Sequence, residues 1–296
     1  MSAITGIYHR DGRPASADVL ARMVDAVAAW PSDRQSTWYD GPVGMGHRLL
    51  FNTPESLHER QPVSDGAGRT LTSAVRLDNR AELMDELGIP ASGAAQLTDP
   101  DLILAAYAKW GEQCADRLLG DYAFALWDAP ARRLFCARSP FGVMPFYYHA
   151  GAEVFVWGSS IDAVLAVPGV PRRLNEEKVA LALVKEIRDD RLTFYADIER
   201  LPGGHCLSVS AEEVRMWRFW ELTDVSELRL KSDAEYEEAF EDLFVRAVDA
   251  RLRSVHPIGA AFSGGLDSSA VCCVAASRLA EAGRDQLIAA SAWFPR

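Results

Sequence analysis

The first two hundred residues carry short apolar stretches separated by turn-forming residues, a pattern typical of β-strands. The turn formers Asp128-Ala129-Pro130 and His149-Ala150-Gly151 lie between the later stretches. We predict strands over these ranges: Ile4–Tyr8, Val43–Phe51, Thr70–Leu77, Tyr122–Trp127, Arg133–Ala137, Pro145–Tyr148 and Val154–Ser159.

Helical spacing of apolar residues appears in separate blocks of the same region. Ser16–Ala29 is an amphipathic helix, and Asn79–Leu87 is a second one. A third helix begins at Thr98, with Asp101 three residues later as in a capping box. Strand-rich sequence with helices in separate blocks predicts layered α+β packing.

The pattern changes after Trp220. Thr223–Asp233 is polar and charged, as in a linker, and a helix is predicted over Ala234–Arg253. Its apolar face comprises Tyr236, Phe240, Leu243, Phe244, Ala247 and Val248. Two apolar strands, Pro257–Phe262 and Gln286–Trp293, enclose a glycine loop and a helix, which is how a parallel α/β sheet begins. One such unit leaves sheet faces uncovered, so an incomplete domain is expected.

A length of 296 residues accommodates two domains, predicted at 1–222 and 223–296. The 31 basic and 42 acidic residues give a net charge of -11, which argues against nucleic acid or an anionic membrane as partner. The start, Met1–Ile7, does not resemble a signal peptide, and no apolar run reaches membrane-spanning length. Reduced thiols in a cytoplasmic protein are expected from five cysteines without metal-ligand spacing: Cys114, Cys136, Cys206, Cys272 and Cys273.

The most informative stretch is the glycine loop at residues 263–269. Its two glycines let the backbone approach a ligand closely, and the helix that follows directs N–H groups toward an anion. Asp267 suits a phosphate site if Mg²⁺ bridges its carboxylate to the phosphates. No lysine follows the glycines, so the loop is not a Walker motif. We therefore predict a site for a phosphate ligand and Mg²⁺, with Asp267 as metal ligand, and the resemblance given next implies that this ligand is ATP. The site is formed by Phe262, Ser263, Gly264, Gly265, Asp267, Ser268 and Ser269.

This loop resembles the PP-loop of the N-type ATP pyrophosphatases, which cleave ATP between the α- and β-phosphates. Other segments resemble the class II glutamine amidotransferase domain that precedes a PP-loop domain in asparagine synthetases. They are residues 119–128, 137–148, 200–205 and 219–220. The resemblance covers essentially the whole chain. It implies an Ntn-type αββα sandwich followed by a truncated, HUP-like α/β domain that binds ATP.

The sequence departs from this family where glutamine is hydrolysed. Ser2 stands at the place of the family's nucleophilic cysteine, and Ala74-Val75-Arg76 replaces its Asn-Gly-Glu. The loss removes a polar donor and reverses a charge in the glutamine site. Arg48 and Asp99 match the family and also suit structural roles, an ion pair and a helix cap. We expect glutaminase activity to be absent.

The resemblance implies an ATP-dependent ligase that adenylates a carboxylate and joins it to an amine. Relatives that dispense with glutamine are the β-lactam synthetases and the lasso-peptide cyclases. The departure of Ser139-Pro140 from the family's usual Asp-Arg and the short N-terminus favour a cyclase. The substrate would then carry both a carboxylate and an amine, delivered by a partner that binds the precursor peptide. An asparagine synthase and a non-catalytic scaffold or pseudoenzyme fragment are the alternatives.

Overall fold

The computed structural model describes residues 2–90, 93, 96–186, 189–284 and 286–292. The chain divides into two compact units, the first comprising Met1–Leu50 and His58–Asp224, and the second Phe51–Leu57 and Val225–Arg296. The sequence places residues 51–57 with the first domain. The structure puts them in the second unit, because the carbonyl of Asn52 accepts a hydrogen bond from the Val255 amide at 2.9 Å.

Two six-stranded antiparallel sheets form the first unit. One sheet has the order β10-β8-β9-β1-β3-β2, and the other has the order β12-β11-β7-β6-β5-β4. The strands are β1 (Ala3–His9), β2 (Arg34–Asp40), β3 (Val43–Leu49), β4 (Val63–Ser64), β5 (Arg69–Leu77), β6 (Gly120–Asp128), β7 (Arg133–Arg138), β8 (Tyr147–Ala150), β9 (Val154–Gly158), β10 (Glu199–Arg200), β11 (His205–Val209) and β12 (Val214–Arg218).

Helices cover the outer faces of both sheets. The helices of this unit are α1 (Ala17–Ala26), α2 (Arg80–Leu87), α3 (Asp99–Trp110), α4 (Ile161–Leu165) and α5 (Glu176–Leu183). Helices α1 and α4 pack on the β1 sheet, and α3 packs on the β5 sheet with α2 against it. The predicted αββα sandwich is confirmed.

Alternation along the strands explains the layers. In β1, Ile4 and Tyr8 face the apolar layer between the sheets, whereas Ile7 packs under α1 and α4. In β6, Ala125 and Trp127 face the same central layer, and Phe124 faces the layer under α3. Strands β1 and β6 are therefore buried on both faces, which is why their sequences are short apolar runs.

The second unit contains α6 (Asp233–Arg251), β13 (Gly259–Ala261), α7 (Leu266–Glu281) and β14 (Ile288–Ala290). Strands β13 and β14 pair in parallel, as predicted, although Trp293 of the predicted second strand lies outside the described residues. Helices α6 and α7 share a small core around Val248, Leu252, Ala275 and Leu279.

The predicted apolar face of α6 is only partly buried. Val248 is buried and Phe244 packs against the small core, but Phe240 and Leu243 are 69% and 59% exposed. Periodicity identifies which residues share a helix face, and the described part of this unit covers only the C-terminal half of that face.

Several elements escape sequence reasoning. Strand β2 is largely polar and exposed at a sheet edge, so it lacks an apolar run, and β12 is an edge strand with little burial. The short helices α4 and α5 and the buried strand β11 were also missed. Strand β3 ends at Leu49, two residues before the prediction, because Phe51 belongs to the second unit.

Candidate functional site

The glycine loop joins β13 to α7, as the sequence predicts. Phe262 follows the strand, and its amide donates to the carbonyl of Ala290 at 2.8 Å, which continues the parallel pairing with β14. Gly264 adopts a φ of +83°, and a Cβ there would meet no atom within 4 Å. This backbone conformation favours glycine and leaves the loop surface open to a ligand.

Three serine hydroxyls close around this loop. The Oγ atoms of Ser263 and Ser268 lie 2.9 Å apart, and the Ser263 amide donates to the Ser268 Oγ at 3.2 Å. The Ser269 hydroxyl donates to the Gly265 carbonyl at 2.7 Å. These bonds hold the loop against the first turn of α7.

Helix α7 begins without a side-chain cap. Its N-cap is Gly265, which has no side chain to accept hydrogen bonds from the amides of the first turn. At the start of α3, by contrast, Thr98 accepts from the Asp101 amide and completes the predicted capping box. The amides of Leu266, Asp267 and Ser268 have no acceptor four residues earlier in the helix, so they remain available to an anion, as does the positive end of the helix dipole.

Asp267 lies in the first turn of α7 and is exposed. Its carboxylate makes no hydrogen bond or ion pair that is resolved among the described residues. Mg²⁺ at nucleotide sites is held by one or two carboxylates together with phosphate oxygens. One exposed carboxylate beside open amides suits that arrangement. The described residues contain no cluster of three or more potential metal ligands from His, Cys, Asp and Glu.

Ser2 and Arg48 come together at the start of the first unit. The Leu50 amide donates to the Ser2 Oγ at 3.1 Å, and Arg48 is the β-sheet partner of Ala3. The Arg48 guanidinium donates to the Gln35 side chain at 2.9 Å across the β2–β3 pair. Both side chains are therefore used within the protein.

Asp99 serves structural purposes. Its Oδ2 accepts from the Leu77 amide at 2.9 Å, its Oδ1 forms an ion pair with Arg80, and it is only 4% exposed. The carboxylate thus satisfies the backbone amide of the last residue of β5 and pairs with the first residue of α2.

The residues that replace Asn-Gly-Glu lie on β5. Ala74 is buried in the layer between the sheets, and Val75 packs toward the helices. Arg76 shares the Ala74 face, with its Nε 3.7 Å from the Asp78 carboxylate, and Asp121 is its register partner on β6. The segment presents a methyl group and a paired guanidinium where the resemblance leads us to expect an amide and a free acid.

A buried polar cluster beside β5 was not found by sequence reasoning. The Gln61 side chain donates to the Ser73 carbonyl at 2.9 Å and accepts from the Ser73 amide, replacing a strand neighbour at this edge. His47 also contacts the Ser73 carbonyl, at 3.1 Å, and burial lowers the pKa of its ring to about 4. Burial raises the pKa of Glu59, which accepts from Gln61, to about 8.

The cysteines belong neither to the glycine loop nor to the residues of the expected glutamine site. Cys114, Cys136 and Cys206 are buried, and desolvation raises the pKa of each thiol. Cys272 is buried as well, whereas Cys273 is exposed. Among the described residues, no helix has the length and apolar content needed to cross a bilayer.

Comparisons with known proteins agree with this geometry. A family profile described as "Glutamine amidotransferase domain" matches residues 1–220, and one described as "Asparagine synthase" matches residues 239–295. The chain belongs to the asparagine synthetase superfamily. The predicted membership is confirmed, and the two profiles follow one another along the chain in the expected order.

Individual relatives place this chain within a varied group. It is 30% identical over 274 residues to asparagine synthetase (glutamine-hydrolyzing) 3 of Bacillus subtilis, covering 90% of this chain and 44% of that protein. It is 27% identical over 267 residues to amidase chry2 of Gibberella zeae, covering 85% of this chain and 38% of that protein. The chain spans less than half the length of either relative.

Among solved structures, the fold is similar to that of glutamine phosphoribosylpyrophosphate amidotransferase from B. subtilis. The TM-score is 0.51 at 14% identity, covering 98% of this chain and 65% of that one. At this identity the likeness concerns the fold alone.

Proposed function

We propose that this protein is an ATP-dependent carbon–nitrogen ligase that activates a carboxylate as its adenylate and joins it to an amine. The proposal rests on the loop at residues 263–269, which combines an open positive-φ glycine, paired serine hydroxyls and an uncapped helix N-terminus. Together these groups supply several donors for a polyphosphate and one carboxylate for its metal ion. The asparagine synthase match over residues 239–295 supports the same reading.

Four residues would hold the pyrophosphate part of ATP: Ser263, Gly265, Asp267 and Ser268. The Phe262 backbone, one residue before the loop, would meet the nucleotide. Mg²⁺ held in part by Asp267 would offset the negative charge of the phosphates. A substrate carboxylate oxygen then attacks the α-phosphorus, and the bond to the β-phosphate oxygen breaks to release pyrophosphate. An amine displaces AMP from the acyl carbon, losing a proton, and an amide forms. Positioning and electrostatics supply most of the rate enhancement.

The amine comes from the substrate itself in this scheme. Asp99 is engaged with Leu77 and Arg80, Arg48 donates to Gln35, and Ala74 offers only a methyl group. A free glutamine would therefore have to displace the internal partners of Arg48 and Asp99, and it would meet no polar side-chain group at Ala74. This reasoning supports a glutaminase-deficient ligase.

Among such ligases we place the protein with the lasso-peptide macrolactam cyclases, acting in the cytoplasm on a precursor peptide that a partner protein delivers. The departure at Ser139-Pro140 favours this assignment over a β-lactam synthetase or an asparagine synthase. Ser139 is 1% exposed, so the acid that the family usually carries here would be a buried one, and its loss changes the interior of the first unit.

Exchange of labelled pyrophosphate into ATP tests the ligase. We expect exchange that depends on Mg²⁺ and on a peptide carrying a free amine and a side-chain carboxylate. Asp267→Asn should reduce exchange at least a hundredfold, whereas Glu281→Gln, at the far end of α7, should leave it unchanged. If the protein bound magnesium–ATP but no candidate carboxylate supported pyrophosphate exchange, the ligase proposal would be contradicted. A nucleotide-binding scaffold would then be the better description. Equal loss in both variants would contradict the role of Asp267.

A further inference from the structure

A cavity of about 390 Å³ opens at one edge of the first unit. Strands β8, β11 and β12 line it together with the segment at residues 191–199. In their sheets, β8 and β11 each stand three positions from the strands that carry the remnant glutamine site, β3 and β5. Three strand spacings correspond to about 14 Å. The cavity is therefore a separate site, and neither the ligase scheme nor the glutamine remnant uses it.

The inner wall of the cavity is apolar. Leu207 is 1% exposed and Tyr148 is 4% exposed, and both belong to the core between the two sheets. Val214 and Met216 on β12 are partly buried and pack against the same core. The central apolar layer therefore reaches solvent at this point, where an apolar group of a ligand would extend it.

A cation is fixed at the rim. The Arg191 carbonyl accepts from the Arg200 amide at 2.9 Å, and the Arg191 amide donates to the Asp189 carboxylate at 2.8 Å, so its backbone is held beside β10. Its guanidinium lies 3.6 Å from Asp189 and 3.9 Å from Glu199, beyond hydrogen-bond length. The buried Nε is the atom that faces Asp189, and it has no partner at hydrogen-bond length. The side chain as a whole is 41% exposed, so its terminal nitrogens can donate to an acceptor on a ligand.

An anion stands beside it. Tyr148 donates its phenolic hydrogen to one oxygen of Glu199, and the other oxygen faces Arg191. The neighbouring Asp197 is already paired through both oxygens with Arg173, at 2.7 and 2.9 Å. Glu199 is therefore the lining carboxylate best able to take a further donor. The site presents one positive and one negative group, side by side, next to an apolar wall.

We propose that this cavity binds a free α-amino acid with an apolar side chain. Arg191 pairs with the α-carboxylate, Glu199 accepts from the α-ammonium, and Leu207, Val214 and Met216 contact the side chain. A zwitterion meets both charges at the rim, whereas a simple carboxylate or amine would satisfy only one.

Calorimetric titration without nucleotide tests the proposal, so its outcome is independent of the ligase activity. We expect saturable one-to-one binding of L-leucine or L-methionine, and binding at least tenfold weaker for 4-methylpentanoate and 3-methylbutylamine. Arg191→Gln should weaken leucine binding at least tenfold. The control variant Arg117→Gln, which alters an arginine that pairs with Glu86 and does not line the cavity, should bind as the unchanged protein does.

A second measurement does not depend on any variant folding. With ¹³C-methyl methionine, the Met216 signal should shift on addition of leucine, and the signals of the fully buried Met23 and Met45 should not. Absence of leucine and methionine binding at 10 mM, unchanged affinity in Arg191→Gln, or loss of binding in Arg48→Gln would overturn the proposal. The last result would place the ligand in the glutamine remnant.

Discussion

Asp99, which the resemblance assigns to a glutamine site, is held by contacts within the protein. One oxygen accepts from the backbone of β5 and the other pairs with Arg80, so the carboxylate is used within the protein. Glu59 and His47 lie in the same unit, and burial favours the uncharged form of each side chain. At the residue scale, this corner of the sandwich has become a structural polar cluster.

Glu59 makes the stability of the protein depend on pH. Its pKa is about 8 in the folded state and 4.5 for a free carboxyl group, so between these values the folded protein holds a proton that the unfolded chain has lost. The free energy of unfolding should therefore fall as the pH rises from 4.5 to 8. Its contribution is on the order of 5 kcal/mol at most.

Urea unfolding of the unchanged protein and of Glu59→Gln measures this effect. The variant should be nearly as stable as the unchanged protein at pH 5 and more stable at pH 8.5, with the difference growing between them. His47 acts in the opposite direction: because burial lowers its pKa from 6.5 to about 4, the free energy of unfolding falls as the pH drops from 6.5 to 4. It is present in both proteins, so the difference isolates Glu59. A difference that does not vary with pH would contradict the prediction.

At the scale of elements, the glycine loop and the N-terminus of α7 together form the proposed phosphate site. Gly264 supplies the positive φ that turns the chain out of β13, and Gly265 begins the helix without a side-chain cap. Gly283, at the other end of α7, also has a positive φ, +62°, with open space around it. A side chain at either position would strain the backbone to a similar degree. Only Gly264 lies in the proposed nucleotide site.

Replacing each glycine by alanine separates strain from function. Both variants should lose about 1 kcal/mol of unfolding free energy, since a Cβ disfavours positive φ. Gly264→Ala should also reduce pyrophosphate exchange at least tenfold, because the loop amides move from their positions. Gly283→Ala should exchange normally. Urea unfolding and the exchange assay provide the two readouts, and similar exchange in both variants would argue against the loop as the nucleotide site.

At the scale of the whole molecule, the first unit has an amidotransferase fold, and Arg48 and Asp99, which the resemblance assigns to a glutamine site, make contacts within the protein. The sandwich provides two sheets, a buried central layer and an open edge at β8 and β12, and none of these requires glutaminase chemistry. The second unit carries the loop on a parallel strand pair. The proposed function predicts how the protein treats two small molecules, glutamine and ATP.

Glutamine should not be a nitrogen donor. We expect ammonia release from glutamine at the level of the uncatalysed reaction, with or without ATP, since the polar contacts that glutamine needs are occupied or replaced. With a carboxylate–amine peptide, AMP and pyrophosphate should form in equal amounts and no ammonia should be consumed. Chromatographic detection of glutamate is the measurement, and glutamate formation stimulated by ATP would contradict the glutaminase-deficient reading.

The sequence by itself determined the local features of this protein. Apolar periodicity located β1, β5, β6 and α1, and the residue types at 263–269 identified the loop before α7, because each depends on neighbours along the chain. Polar edge strands such as β2 gave no such signal, since their partners are distant in sequence.

Only the tertiary structure decided how distant residues share their contacts. It showed Asp99 engaged by Leu77 and Arg80, Glu59 buried beside Gln61, and Arg191 placed next to Glu199 over an apolar wall. Burial, pairing and pKa depend on which segments meet in space, and residue types alone do not specify those meetings.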